Sequence, residues 1–431
     1  MIVVSNEEEL RLALVEAATS KEPIALKQSV AATSSITLPE GVTLTAKGRH
    51  PKILSFAQGD GVALTKNNTV KNLAIQTTPS NRAIYLSATE EDLGTLELRN
   101  LRVTGMVQLT LRKPGKTVTI NAKDVDVVMA DARGYSETQL KYGVVVEQGG
   151  FTIHNFNASP ESLITTTLNN ISVGRLEGPV LGSGIYIAGF SDEGGRVEIE
   201  ELTTGEVHSN GMIPQGQPNR ITGGIFILTG AHAKEIVSNE VVYTYGVNDM
   251  ALDVWGEVDS WITEKPVRSF GTSGIGFVNF GIVHHFEARD LIETFGSGAR
   301  AFNQYDGTID DATFAGLKTH GDGSIGMQIS RPVGTIHITG NIETEGGIGD
   351  SLVKGVIMNL EAIALSLQPE AHVKSLIVDG DLVTNGDKIT TVVVKGGQAD
   401  EFVLGGEIKA LGEGSTKLTI EEGGKLGEVS K

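Results

Sequence analysis

Cysteine is absent from the 431-residue chain, and proline is scarce at 12 residues. The first absence excludes a disulfide framework, a thiol nucleophile and a thiolate metal site, although an exported protein can also do without disulfides. Aromatic residues make up 5% of the chain while glycine reaches 54 residues, a balance that suits many short strands joined by short turns. No apolar run approaches the roughly 18 residues that a spanning helix needs, so insertion of a helix into a membrane is not expected. Positive charge is in deficit, 35 Lys and Arg against 53 Asp and Glu, for a formal net charge of −18. Neither a nucleic acid nor an acidic membrane surface is an expected partner on that balance. The start, Met1-Ile2-Val3-Val4 followed by Ser5-Asn6-Glu7-Glu8-Glu9, lacks the basic, apolar and small-residue sections of a signal peptide. The expectation is a cytoplasmic protein, or an extracellular or cell-surface one if a leader has been removed.

What the chain does contain is a repeat. Gly246, Gly271, Gly296 and Gly321 follow one another at 25 residues, preceded by Tyr245, Phe270, Phe295 and His320. Leu252, Phe277, Phe302 and Met327 fall in one column, and Trp255, Phe280, Tyr305 and Ser330 in another. Arg268, Glu293, Lys318 and Glu343 share a column and alternate in sign, while Glu264 meets Arg289, Lys265 meets Asp290 and Asp306 meets Arg331 one period on. Opposite charges stacked at strand spacing gain a little and like charges repel. A period of this length marks a solenoid, whose core grows lengthwise as each repeat packs on its neighbours.

Ahead of the repeats, residues 5–19 read as a helix, with Ser5 or Asn6 as cap, Glu8 or Glu9 three residues on, and Leu10, Ala13, Leu14 and Ala17 on one face. It is expected to cover the open edge of the first coil. Short β-branched segments follow, among them Ile24-Ala25-Leu26, Pro39-Glu40-Gly41-Val42-Thr43-Leu44 and Asn72-Leu73-Ala74-Ile75. These segments resemble the start of right-handed parallel β-helices of the pectate-lyase-like superfamily. That likeness implies a polysaccharide ligand, and calcium if the protein is a lyase; no other cofactor is expected. Phrases such as Thr319-His320-Gly321-Asp322-Gly323 and Gly340-Asn341-Ile342-Glu343-Thr344 are similar to β-solenoid passengers of bacterial surface proteins. The predicted organisation is an all-β chain: a capping helix over 1–22, one right-handed parallel β-helix over 23–425 with regular coils at 245–345, and a tail over 426–431. The hand follows from the rule for parallel crossovers.

Gly143-Val144-Val145-Val146, Gly184-Ile185-Tyr186-Ile187 and Gly224-Ile225-Phe226-Ile227 look like equivalent strands of longer coils, and Gly355-Val356-Ile357-Met358 like a later one. Two polar stretches, 131–141 and 203–219, then become loops bordering one face, where binding commonly sits on a rigid scaffold. Alternation sorts each strand into two sets. Leu252, Phe277, Phe302 and Met327 point inward, as do Asn279 and Gln304, whose amides can bond along the stack. Arg300 breaks an inner column and must turn outward or find a carboxylate. The outward set combines a small-residue column (Ala251, Gly276, Ala301, Gly326), a polar row (Asp253, Asn303, Gln328) and an aromatic row (Trp255, Phe280, Tyr305). Such a floor suits a glycan, with rings stacked on sugar faces and amides on hydroxyls. Alternatively the aromatics pack on one another.

For catalysis the candidates are Asp253, Asp249, His285 and His208. Glycoside hydrolysis wants carboxyls about 5–9.5 Å apart, whereas Asp253 and Asp306 lie about 14 Å apart and Asp249 and Asp253 about 13 Å apart on an ideal lattice. His285 with Asp310 and His284 with Asp259 are nearly stacked pairs. Asp310-Asp311 and His320-Gly321 resemble elements of polygalacturonase-like hydrolases but are too close in sequence to stack as that chemistry requires. No residue set marks a metal site. Two expectations stand: a β-helix binding a polysaccharide or cell-surface glycan along the Asp253–Trp255 face, or a polysaccharide lyase, hydrolase or epimerase in a groove walled by the 131–141 and 203–219 loops. Oligomeric state is open.

Overall fold

The computed structural model describes every residue except 49, 140–141, 218, 354–355, 428 and 431. It is all-β apart from one short helix, and its strands stack in parallel as a right-handed β-helix. The chain divides into two compact units: Met1–Tyr142 with Glu147–Ser209 and Leu228–Lys234, and Gly143–Val146 with Asn210–Ile227 and Glu235–Lys431.

The first unit opens with a strand that sequence reading missed, Ile2–Val4, paired in parallel with Ile24–Leu26. The helix Glu7–Ser20 sits between them in sequence. Asn6 Oδ1 accepts the Glu9 N–H at 2.9 Å, and Glu9 returns a carboxylate to the Ser5 N–H at 2.7 Å, the reciprocal cap expected there. Leu10, Ala13 and Ala17 are buried against the first strands. Beyond the helix, long strands such as Asp92–Thr104 and Thr117–Met129 alternate with short ones such as Met106–Leu111 and Gly149–Asn155. Ile84, Val107, Phe151 and Ile185 form one fully buried column through the short strands.

In the second unit each coil carries three strands, for example Asp249–Val254, Glu257–Thr263 and Val267–Ser269. The predicted register holds: Leu252, Phe277, Phe302 and Met327 are mutual partners, and all are 0% exposed. Asn279 Nδ2 donates to Gln304 Oε1 at 3.1 Å, as the inner amide column predicts. Arg268 Nε donates to Glu293 at 2.9 Å, and His320 Nε2 lies 2.8 Å from the other Glu293 oxygen. Glu293 is only 8% exposed, so this carboxylate holds its partners with little competition from water. Glu293→Lys is accordingly expected to destabilise by about 1.5–3 kcal/mol, the range for hydrogen bonds to charged groups. Thermal melts at low and high salt check this, and indistinguishable melts at low salt would reject the pairing.

Three strand assignments change. Val144–Glu147 is not the partner of the Ser183–Ala188 strand; Gly149–Asn155 is, through Phe151 and Ile185. Val145 instead pairs with Arg220. Val356-Ile357-Met358 belongs to an antiparallel hairpin, Gly349–Val353 with Val356–Leu360, and the coil strand beside Met327 is Leu365–Leu367; Gly355 lies outside the described residues. The stretch 203–219 is only partly loop, since the Arg196–Asn210 strand runs through its first half. In the first two cases two apolar runs compete for one rung, and alternation by itself does not choose between them.

Candidate functional site

The face expected to hold a glycan is closed. In the strands Ile275–Asn279 and Arg300–Gln304 every residue is buried, whichever way it alternates. Trp255 is 7% exposed and Asn303 4%, while Phe280, Tyr305 and Gln328 are half-buried. The rings pack on each other at a tilt, Trp255 against Phe280 with centroids 4.9 Å apart and Phe280 against Tyr305 at 4.7 Å, the alternative expected for this row. A Cβ on Gly276 would fall 2.2 Å from the Ile292 Cγ2, which shows the small-residue column to be a packing requirement rather than an open floor. Among the described residues Arg300 finds no carboxylate: it donates to Gln328 Oε1 at 3.4 Å and to the Gly298 carbonyl at 3.3 Å. Complete burial pulls its guanidinium down to about 10.

Each candidate catalytic side chain has its own surroundings. Asp249 is fully buried and structural, accepting the Gly246 N–H at 2.6 Å and the Thr222 hydroxyl. Asp253 is 0% exposed, and neither oxygen has a hydrogen-bond partner among the described residues. Burial raises its pKa well above the carboxylate range; the neighbouring Trp255 indole offsets this only in part. His285 belongs to another strand of the coil, with Nδ1 2.6 Å from Asp311 rather than Asp310, and its side chain is 41% exposed. The extra residue behind that 26-residue offset lies at the turn containing Gly307, whose φ is +61, a conformation glycine adopts without strain. His208 belongs to the first unit, buried with Nε2 3.1 Å from Glu206; desolvation keeps its pKa low.

What the fold does leave open is a pocket of about 430 Å³ in the first unit. Its floor comes from Arg82, Gln108 and Thr110 of the short strands and from Arg112 just beyond Leu111. Its wall comes from the predicted loop, with Gly134, Tyr135 and Ser136, and from Gln148. Gln148 N–H bonds the Tyr135 carbonyl at 2.9 Å, closing this wall on itself, and its side chain accepts from Gln108 Nε2 at 2.6 Å. Arg82 pairs with Asp60 and lies 4.4 Å over the Tyr85 ring. Arg112 is exposed and its guanidinium lies 4.2 Å over the Phe156 ring, a cation–π contact. Behind the floor His154 is 3% exposed, edge-on to Phe156 and Tyr186. Burial and the Arg112 charge bring its pKa to about 3, so it is a neutral ring. Among the described residues His154 Nδ1 and Thr110 Oγ1 lack hydrogen-bond partners, although buried polar groups normally have them.

The pocket thus offers Arg112, Lys113 and the Asp60-paired Arg82 together with neutral hydroxyl and amide groups. Among the described residues no Asp or Glu lines it. Sequence reading expected 131–141 to wall a groove beside the Asp253–Trp255 face; of that stretch Gly134, Tyr135 and Ser136 line this pocket, residues 140–141 lie outside the described ones, and the floor was not anticipated. The reason is an irregular period: the steps from Ile84 to Val107, Phe151 and Ile185 are 23, 44 and 34 residues. No known protein family, curated protein or solved structure matches this chain.

Proposed function

We propose that the protein is a polysaccharide-binding β-helix whose pocket under the 131–136 wall takes a sugar residue carrying a carboxylate. The observation that carries the reading is the pocket lining: Arg112 and Lys113, with the Asp60-paired Arg82, around Gln108, Thr110 and Gln148, and no acidic residue among the described lining, in a chain of net charge −18. An arginine fork matches a carboxylate in two parallel hydrogen bonds. Amides and hydroxyls satisfy the ring hydroxyls, and Tyr135 supplies an amphipathic wall. The reading needs no cofactor.

Binding of the protein to polygalacturonate, alginate and neutral dextran tests this. Retention is expected on the acidic polymers only, and Arg112→Ala is expected to weaken it about tenfold, the effect of losing one charge-assisted contact. Equal retention on dextran, or no effect of Arg112→Ala, would overturn the reading. Release of unsaturated or reducing products, abolished in Tyr135→Phe, would replace it with a lyase, hydrolase or epimerase in the same groove.

A further inference from the structure

Charges stacked in the second unit alternate in sign, as Arg268, Glu293, Lys318 and Glu343 do. One column of the first unit breaks that habit. Lys71, Arg99 and Lys123 are register partners on three successive long strands, and the next rung carries Asn169. Rungs stack about 4.8 Å apart, and like charges placed directly opposite are destabilising. Glu97, on the same strand, offsets Arg99. Among the described residues neither Lys71 nor Lys123 is in an ion pair.

Each cation is followed by a polar residue in the left-handed region: Asn72 at φ 57, Asn100 at 49, Asp124 at 54, and Asn170 at 56 after Asn169. That conformation interrupts strand alternation, so the cation and the next side chain both reach solvent. Asn72, Asn100 and Asp124 are exposed. They bond in pairs, Asn100 to Asn72 at 3.0 Å and Asn170 to Asp124 at 2.8 Å. This polar row lines a cleft of about 640 Å³ together with Arg102, Asp126 and Ser172. Asp126 is held by Arg175 through both oxygens at 2.7 Å, and Arg102 is exposed. A line of cations at constant pitch, flanked by the amides of Asn72, Asn100 and Asn170 and by the Asp124 carboxylate along a cleft, is complementary to a polymer with one anionic group per unit where Lys71 and Lys123 stand without ion-pair partners among the described residues.

We infer that the Lys71–Arg99–Lys123 column is a second binding site, taking a linear acidic polysaccharide along the stack, separate from the pocket. Among macromolecular polyanions the glycan is favoured over nucleic acid on two grounds. The cleft lining has no Trp, Tyr or Phe on which bases stack, and the amides suit hydroxyls.

The test is salt-titrated binding of the full chain to polygalacturonate, with neutral dextran and single-stranded DNA as comparisons, for wild type and the Lys71→Gln/Lys123→Gln variant. The variant is expected to bind polygalacturonate about tenfold more weakly, with a shallower salt dependence because fewer ions are released. Its melting temperature at low salt should equal or exceed that of wild type, since a repulsion has been relieved. Unchanged affinity, or weaker binding accompanied by a lower melting temperature, would overturn the site. DNA bound as tightly as polygalacturonate would overturn the glycan assignment. Repeating the comparison in an Arg112→Ala background separates the two sites: the loss should persist there, and its disappearance would make the column an extension of the pocket rather than a site of its own.

Discussion

Trp255→Ala is expected to destabilise the protein by about 3–5 kcal/mol, the range for deleting a large buried ring. The indole is 7% exposed and packed 4.9 Å from Phe280, so its removal leaves a cavity and strips a contact from the neighbouring ring. Phe270 gives the internal comparison. It sits in a second aromatic row, Tyr245, Phe270, Phe295 and His320, stacked at 5.2, 4.8 and 4.5 Å with interplanar angles below 10°. Yet Phe270 is 36% exposed. Phe270→Ala should therefore cost well under half as much, because part of its surface already meets water. Urea unfolding of the two variants measures the contrast. A loss below about 1 kcal/mol for Trp255→Ala would return the indole to the surface and reopen the 251–255 face as a glycan platform.

Asp253→Asn is expected to stabilise the protein at neutral pH and to do little near pH 4. Asp253 is fully buried, without a hydrogen bond to either oxygen among the described residues, and its neighbours in register are the apolar Phe226 and Val278. Burial raises its folded pKa well above the ordinary value. Below the unfolded pKa, near 4, both states hold the proton and the group is neutral throughout. As pH rises, the unfolded chain releases the proton while the folded chain retains it, so the Asp253 contribution to stability is progressively lost. The loss runs at about 1.4 kcal/mol per pH unit until the raised folded pKa is reached. Asparagine does not titrate, so the stability difference between variant and wild type should widen from pH 4 to pH 7. Denaturation at pH 4, 5.5 and 7 checks the slope. A difference independent of pH would show that Asp253 ionises normally in the folded protein.

The solenoid was legible because 25-residue spacing, sign-alternating charges and the Leu252–Phe277–Phe302–Met327 column are all local consequences of stacking. Any residue must face its copy one coil away, so an apolar, amide or ionic column can be read in one dimension. The helix cap was legible for the same reason, since Asn6 and Glu9 need only each other. The pocket was not, because its floor joins Arg82, Gln108 and Thr110 across irregular coils, and its wall is an excursion whose landing place no periodicity records. His285 shows the same limit on a small scale: one inserted residue near Gly307 moved its partner from Asp310 to Asp311.

By itself the sequence determined the fold class, the inner columns and the alternating ionic row, all of which depend on repeat spacing and on the two-residue period of a strand. Tertiary structure alone decided which outward faces stay in water. Alternation separates two sides of a strand but carries no information about what chain is laid over the outer one. That is why Asp253, Trp255 and Asn303 turned out buried, while Arg112 and the Lys71–Arg99–Lys123 column remained accessible. Accessibility is a property of the whole packed surface, which no single strand's alternation records.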